Sequence, residues 1–293
     1  MRTITASCIV VVLASLLAVA QTTSYTLSDW SCGIVVWAHK LPDSSENFIQ
    51  RLTEAAETAF GFWGYDVPMF AEEPYDEAKA LRVYDPALGA ERVIPPLRWN
   101  NREISPVVVF AFQNEISMRD TLGLTGLFGA AWCRFPMSQG FPDAEPWIWE
   151  IGAGSRNMIC PWLTPIETLI HEDAHWFTTE WGSHLGVAAN DLPNYILEGI
   201  AETTTVYAKD ANDAVYDRLM AISWAKNNCL SGSIDGAMRY PVGKSLVSYL
   251  VETLGTDGFL ATLMNWAWRP VYMAGLYQAD WRTSLGLPAS CPE

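Results

Sequence analysis

Residues 164–175 of the chain read TPIETLIHEDAH. The beginning of this stretch is typical of a helix start, because Thr164 can cap the helix, Pro165 suits its first position and Glu167 can bond back to the cap. The stretch therefore predicts a helix over residues 165–181.

Two histidines of this helix, His171 and His175, are four residues apart. Residues at this spacing share one face of a helix, so both imidazoles can bind a single zinc ion. Glu172 lies one position round the helix, where its carboxylate can reach a metal-bound water and act as general base. The alternative is a pair of core histidines held by hydrogen bonds.

A catalytic zinc site usually has three protein ligands and one open position. The next helix, predicted over residues 193–209, carries Glu198 and Glu202 on one face. We assign Glu198 as the third ligand and Glu202 as the carboxylate that orients an imidazole N–H. Gly199 and Ala201 are small enough to let this helix approach the first one closely. The alternative is that both acids face solvent on an ordinary amphipathic helix.

The composition limits the class of protein. The chain has 293 residues, half of them apolar, and a formal net charge of -15. Such a chain can build a sizeable core, and its acidic balance excludes a nucleic-acid partner. Charge does not identify the oligomeric state.

The N-terminus predicts export. Arg2 precedes an apolar run over residues 9–20 that ends with Ala18 and Ala20 before a polar stretch. This pattern is typical of a signal peptide, residues 1–20, whose cleavage leaves a secreted, periplasmic or extracellular chain without a membrane span. Cysteine usage fits two disulfides and one free thiol in such a compartment, with the pairing left open. The cysteines concerned are Cys32, Cys133, Cys160, Cys229 and Cys291.

Hydrophobic periodicity predicts strands early in the chain and helices later. Strands are predicted at residues 32–39, 106–112, 126–135 and 147–151, with an irregular stretch over residues 67–105. Helices are predicted at residues 45–60, 165–181, 193–209, 212–226, 243–254 and 256–268. This order is typical of an α+β fold with a mixed β-sheet lobe that includes the active-site helix (21–181) and a mainly α-helical lobe (182–293). We expect one domain over residues 21–293.

The motifs of the two central helices together resemble those of the gluzincin metallopeptidases, close to the group called peptidase MA-like. The resemblance extends over roughly residues 45–285 and includes the segment that begins at Tyr240. It implies a zincin-like fold, Zn²⁺ as cofactor and a peptide or protein substrate. It also implies that Glu198 is the third ligand and that the Tyr240 hydroxyl stabilises the oxyanion. From the sequence alone, Tyr240 is equally an ordinary buried tyrosine.

Two departures from the family pattern refine this expectation. Asp173 stands where the family usually has an apolar residue, which affects local packing rather than metal ligation. Residues 129–133 read GAAWC, whereas the aminopeptidase branch has an acid there that binds a free amino terminus. The sequence therefore favours an endopeptidase. The alternatives are a zinc hydrolase of a non-peptide amide or ester, and a catalytically silent secreted binding protein.

Overall fold

The computed structural model describes residues 25–37, 45–112, 133–135, 155–159, 165–207 and 211–292. The predicted signal peptide, residues 129–132, the predicted strand at 147–151, the cap residue Thr164 and Cys160 lie outside these ranges. The described part forms ten strands and six α-helices, so the predicted mixture of α and β structure is confirmed.

The strands follow one another closely in the first part of the chain. They are β1 (Thr26–Trp30), β2 (Gly33–Trp37), β3 (Met69–Phe70), β4 (Leu81–Asp85), β5 (Ala90–Ile94), β6 (Leu97–Trp99), β7 (Arg102–Ile104), β8 (Val107–Ala111), β9 (Cys133–Phe135) and β10 (Ser155–Ile159). The helices are α1 (Ser45–Phe62), α2 (Ile166–His184), α3 (Asn194–Thr204), α4 (Ala211–Ala225), α5 (Arg239–Trp268) and α6 (Pro270–Ser284).

A mixed five-stranded sheet has the order β1-β2-β8-β10-β9. β2, β8 and β10 are parallel, and the two edge strands are antiparallel to their neighbours. Every residue of β2 and β8 is buried, as expected for central strands covered on both faces. Alternate residues of these strands pack into one core with α1 and α2, so the sheet supports the helix that carries the two histidines.

The prediction of an irregular stretch over residues 67–105 is wrong. This stretch forms a two-stranded sheet of β4 and β5 and a three-stranded sheet of β3, β6 and β7. In β4 the side chains alternate between buried and exposed, the pattern of a half-buried strand. The prolines and acids between these short strands concealed that alternation.

The predicted helices form, with changed ends. Pro165 occupies the cap position of α2 rather than its first turn. The two helices predicted on either side of Gly255 are separated there by a residue with φ of +72°, which glycine adopts without the strain of a Cβ. α5 begins at Arg239, four residues earlier than predicted, and α6 was not predicted at all.

α3 packs against both α2 and α5. A Cβ on Gly199 would lie 2.5 Å from the backbone of Gly243, and a Cβ on Gly243 would lie 1.9 Å from the carbonyl oxygen of Tyr195. The expectation that Gly199 allows α3 to approach α2 is therefore wrong. The two glycines allow α3 to approach α5, and this contact brings the first turn of α5 beside Glu198.

The described helices include none with both the length and the apolar character needed to cross a membrane.

Candidate metal centre

Three side chains from α2 and α3 converge on one point. The Nε2 atoms of His171 and His175 are 3.2 Å apart. The Oε2 atom of Glu198 lies 3.3 Å from Nε2 of His171 and 3.4 Å from Nε2 of His175. All three residues are partly buried, and among the described residues they form the one cluster of histidines, cysteines and acids that could hold a metal ion.

The spacing of these three atoms fits a tetrahedral zinc ion. Bonds of about 2.0–2.1 Å to nitrogen and oxygen place two ligands of a tetrahedral ion roughly 3.3–3.4 Å apart. The three measured separations, 3.2, 3.3 and 3.4 Å, agree with the edges of such a tetrahedron. The donor set of two imidazoles and one carboxylate is also one that catalytic zinc sites use. The residues present therefore fit the metal that the sequence predicts.

The histidines and acids of the cluster shift one another's pKa values. Burial lowers the pKa of His171, but its bonds to Glu198 and Glu202 outweigh this effect, and the pKa is raised to about 9. Burial raises the pKa of Glu198, but its bonds to the two histidines outweigh that effect, and the pKa is lowered to about 2. The Glu198 carboxylate is thus ionised at neutral pH, the state in which it can bind a metal.

Glu202, the second acid of α3, contacts the imidazole of His171 on the side opposite to Glu198. Oε1 of Glu202 lies 3.1 Å from Nδ1 of His171. A carboxylate at this atom accepts a hydrogen bond from Nδ1–H, so that a metal displaces the proton on Nε2, and this fixes the tautomer that a metal requires. The structure thus brings Glu202 to the position that the sequence predicts for it.

Glu172 borders a cavity of about 240 Å³ next to the cluster. Its charge contributes to raising the pKa of His171, so its carboxylate acts electrostatically on the cluster. The cavity is lined by Glu167, Thr168, His171, Glu172, Glu202 and Thr205. A carboxylate in this position is beside the ligands without belonging to them, as a general base needs to be.

Tyr240 lies in the first turn of α5 and also reaches the site. Its ring centre is 6.3 Å from that of His171. Its hydroxyl accepts a hydrogen bond of 2.8 Å from Nη2 of Arg239. The structure therefore brings together all six residues that the sequence singled out, and they come from three helices.

Arg239 was missed in the sequence. Its Nε lies 3.2 Å from Oε1 of Glu198, and its guanidinium group stacks over the ring of Tyr240 at 4.8 Å. The only signal in the sequence was its place directly before Tyr240, and a single arginine before a tyrosine is too common to indicate a site.

Asp173, the unusual acid within the motif, is fully buried on α2. It lies close enough to Cys32 to contribute to the raised pKa of that thiol. Cys32 lies in the turn between β1 and β2, so this acid faces the sheet, whereas the two neighbouring histidines face α3. Asp173 therefore lies away from the three candidate ligands, as its position in the motif predicts.

Comparisons with known proteins leave the site to be judged on its own residues. No protein-family model, no curated protein and no solved structure matches the chain. The gluzincin resemblance therefore stays an expectation based on residues of α2, α3 and α5.

Proposed function

We propose that the protein is a secreted zinc metallopeptidase of the gluzincin type, with a zincin-like fold, that cleaves internal peptide bonds of a peptide or protein substrate. The observation that carries this proposal is the tetrahedral spacing of the three donor atoms of His171, His175 and Glu198. A carboxylate suited to act as a base and a tyrosine hydroxyl beside the same cluster complete the set of groups that hydrolysis needs.

In this proposal, His171, His175 and Glu198 hold the ion, and Glu202 keeps His171 in the required tautomer. Zinc, when bound, would supply a Lewis acid that lowers the pKa of a bound water toward about 7. Glu172 takes a proton from the attacking water and returns it to the leaving amine nitrogen. The Tyr240 hydroxyl donates a hydrogen bond to the oxyanion that develops on the carbonyl.

The test combines metal content with cleavage of an unfolded protein by the purified chain. We expect about one zinc per chain and cleavage that a chelator abolishes. Glu172→Gln should retain zinc, because Glu172 is not a ligand, and should lose about 10²–10⁴-fold in kcat, because the base is removed. His175→Ala should lose both zinc and activity.

Glu180→Gln is the matched control, because Glu180 is also on α2 but pairs with Arg102, away from the cluster. It should retain zinc and activity. A wild-type chain without zinc, or a Glu172→Gln variant as active as the wild type, would contradict the proposal. Activity on small esters or amides but on no peptide would indicate that the protein is another zinc hydrolase and not a peptidase.

A further inference from the structure

Arg239, the first residue of α5, joins two groups of the candidate centre that are on different helices. Its Nε is 3.2 Å from Oε1 of Glu198, and its Nη2 donates a 2.8 Å hydrogen bond to the hydroxyl of Tyr240. The side chain is 36% exposed, so it lies at the edge of the cluster rather than deep in the core.

The two oxygens of the Glu198 carboxylate have different partners. Oε2 faces the imidazoles of His171 and His175, whereas Oε1 faces Arg239. A carboxylate can rotate about its last side-chain torsion, which is broad and has no strong preference. A cation held at Oε1 limits this rotation and keeps Oε2 at the point where the two Nε2 atoms meet.

The guanidinium group of Arg239 also limits the movement of the Tyr240 side chain. Nη2 donates to the oxygen of Tyr240, and the planar group stacks over its ring. A hydroxyl that accepts this bond keeps its own proton available for another acceptor. Arginine can serve both partners at once because its charge is spread over one rigid plane: Nη2 hydrogen-bonds the tyrosine, whereas Nε makes an ion pair with Glu198 without a hydrogen bond. The single ammonium group of lysine cannot reproduce this spread.

The backbone of Arg239 is held in place by the glycine contact between helices. Gly243, one turn later in α5, lies against the backbone of Tyr195 and Gly199 on α3. Glu198 directly precedes Gly199, and Arg239 lies one turn before Gly243, so the arginine and its carboxylate partner are both close to this contact between the two helices.

We propose that Arg239 is a positioning residue that orients both the third metal ligand and the oxyanion donor, Tyr240. This inference rests on the proposed function, since it assumes that Glu198 binds zinc. It predicts that loss of Arg239 weakens zinc binding and slows turnover, whereas loss of the Tyr240 hydroxyl slows turnover only.

The experiment measures zinc affinity by competition with a chromophoric chelator, and kcat and KM with an unfolded protein substrate. The variants are Arg239→Gln, Arg239→Lys and Tyr240→Phe. We expect Arg239→Gln to bind zinc about 10–100-fold more weakly, the usual effect of removing a group that orients a ligand. Its kcat with saturating zinc should fall by at least tenfold at little-changed KM. Arg239→Lys should recover part of the zinc affinity and little of kcat, and Tyr240→Phe should bind zinc like the wild type.

Arg218→Gln is the control, because Arg218 is on α4 and bonds to the carbonyl of Ser284, away from the site. Circular dichroism and thermal unfolding identify any variant that does not fold, and Arg239→Lys provides the measurement if Arg239→Gln does not. Wild-type zinc affinity in both Arg239 variants overturns this inference and leaves the proposed function intact. A wild-type chain that binds no zinc overturns the proposed function, and the inference with it.

Discussion

Glu198 is the residue on which the site depends. Its carboxylate contacts the two imidazoles through one oxygen and Arg239 through the other, and it thereby connects α2, α3 and α5. A partly buried charge with so many polar partners is costly to replace, because removing it leaves the partners uncompensated. The residues around it have separable roles, which single substitutions can distinguish.

Tyr240→Phe removes one hydroxyl and keeps the ring that lies beside His171. We expect normal folding and a loss of about 10²-fold or more in kcat, because the donor to the oxyanion is lost. Steady-state kinetics with a peptide substrate measure this effect. A fully active variant would show that Tyr240 has no catalytic role and only contributes to packing.

The reactivity of the Cys32 thiol at a chosen pH tests whether this side chain is buried. Burial raises the pKa of its thiol to about 12, with Asp173 contributing further. An unfolded thiol titrates near 8.5, so this residue stabilises the folded chain below that pH, and the contribution is lost as the pH rises toward 12.

Iodoacetamide at pH 8.5 should therefore alkylate Cys32 much more slowly in the folded chain than in denaturant, because the thiolate is the reactive form. Mass spectrometry of the peptide that contains Cys32 measures both rates. Equal rates would contradict the burial of this thiol.

At the scale of elements, α3 and α5 approach each other closely at Gly199 and Gly243. This contact determines where the first turn of α5 lies relative to the three candidate ligands. The sheet has the corresponding role for α2, whose apolar face packs with β2, β8 and α1 in one core. The site is thus formed where three helices meet, and each of them is held by contacts outside the site.

Gly199→Ala should destabilise the protein by about 1–3 kcal/mol, because its Cβ would overlap the backbone of Gly243 and force the helices apart. Zinc affinity should fall as well, since Arg239 moves with α5. Chemical denaturation and chelator competition measure the two effects.

Gly275→Ala is the matched control, since a Cβ at this exposed helical position meets nothing within 4 Å. Alanine should raise the free energy of unfolding there by up to about 1 kcal/mol. If Gly199→Ala is as stable as Gly275→Ala, this result would contradict the close contact between α3 and α5.

At the scale of the whole molecule, a disulfide joins Cys229, just after α4, to Cys291 near the end of the chain. Among the cysteines whose side chains are described, Cys32 is a free, buried thiol. The pairing of the remaining cysteines lies outside the described side chains. Export through residues 1–20 stays a prediction, which the N-terminal sequence of the mature protein would test.

Replacing both Cys229 and Cys291 by serine should lower the free energy of unfolding by about 4 kcal/mol, because the bridge closes a loop of 62 residues that is otherwise free in the unfolded chain. Zinc affinity should change little, since neither cysteine belongs to the candidate metal centre of His171, His175 and Glu198. Urea denaturation of the zinc-free and zinc-loaded forms measures both quantities. Unchanged stability of the double variant would contradict a disulfide between these residues.

The sequence by itself determined the local arrangement of the site. The helical period places His171 with His175 on one face of α2, and Glu198 with Glu202 on one face of α3, because four residues make about one turn. A period of two was equally present in β4, but the surrounding prolines and acids led to the wrong prediction for residues 67–105. Patterns within one element are thus readable when the element is long and its period is uninterrupted.

Only the tertiary structure decided which faces meet. The approach of Glu198 to the histidines joins residues 23 and 27 positions apart in the sequence, and its contact with Arg239 spans 41 positions. These pairings depend on how α3 is packed, and the small size of Gly199 did not indicate whether α2 or α5 would fill the space beside it. The physical reason is that periodicity fixes the direction of a side chain relative to its own helix, whereas its partner is chosen by the packing of the whole core.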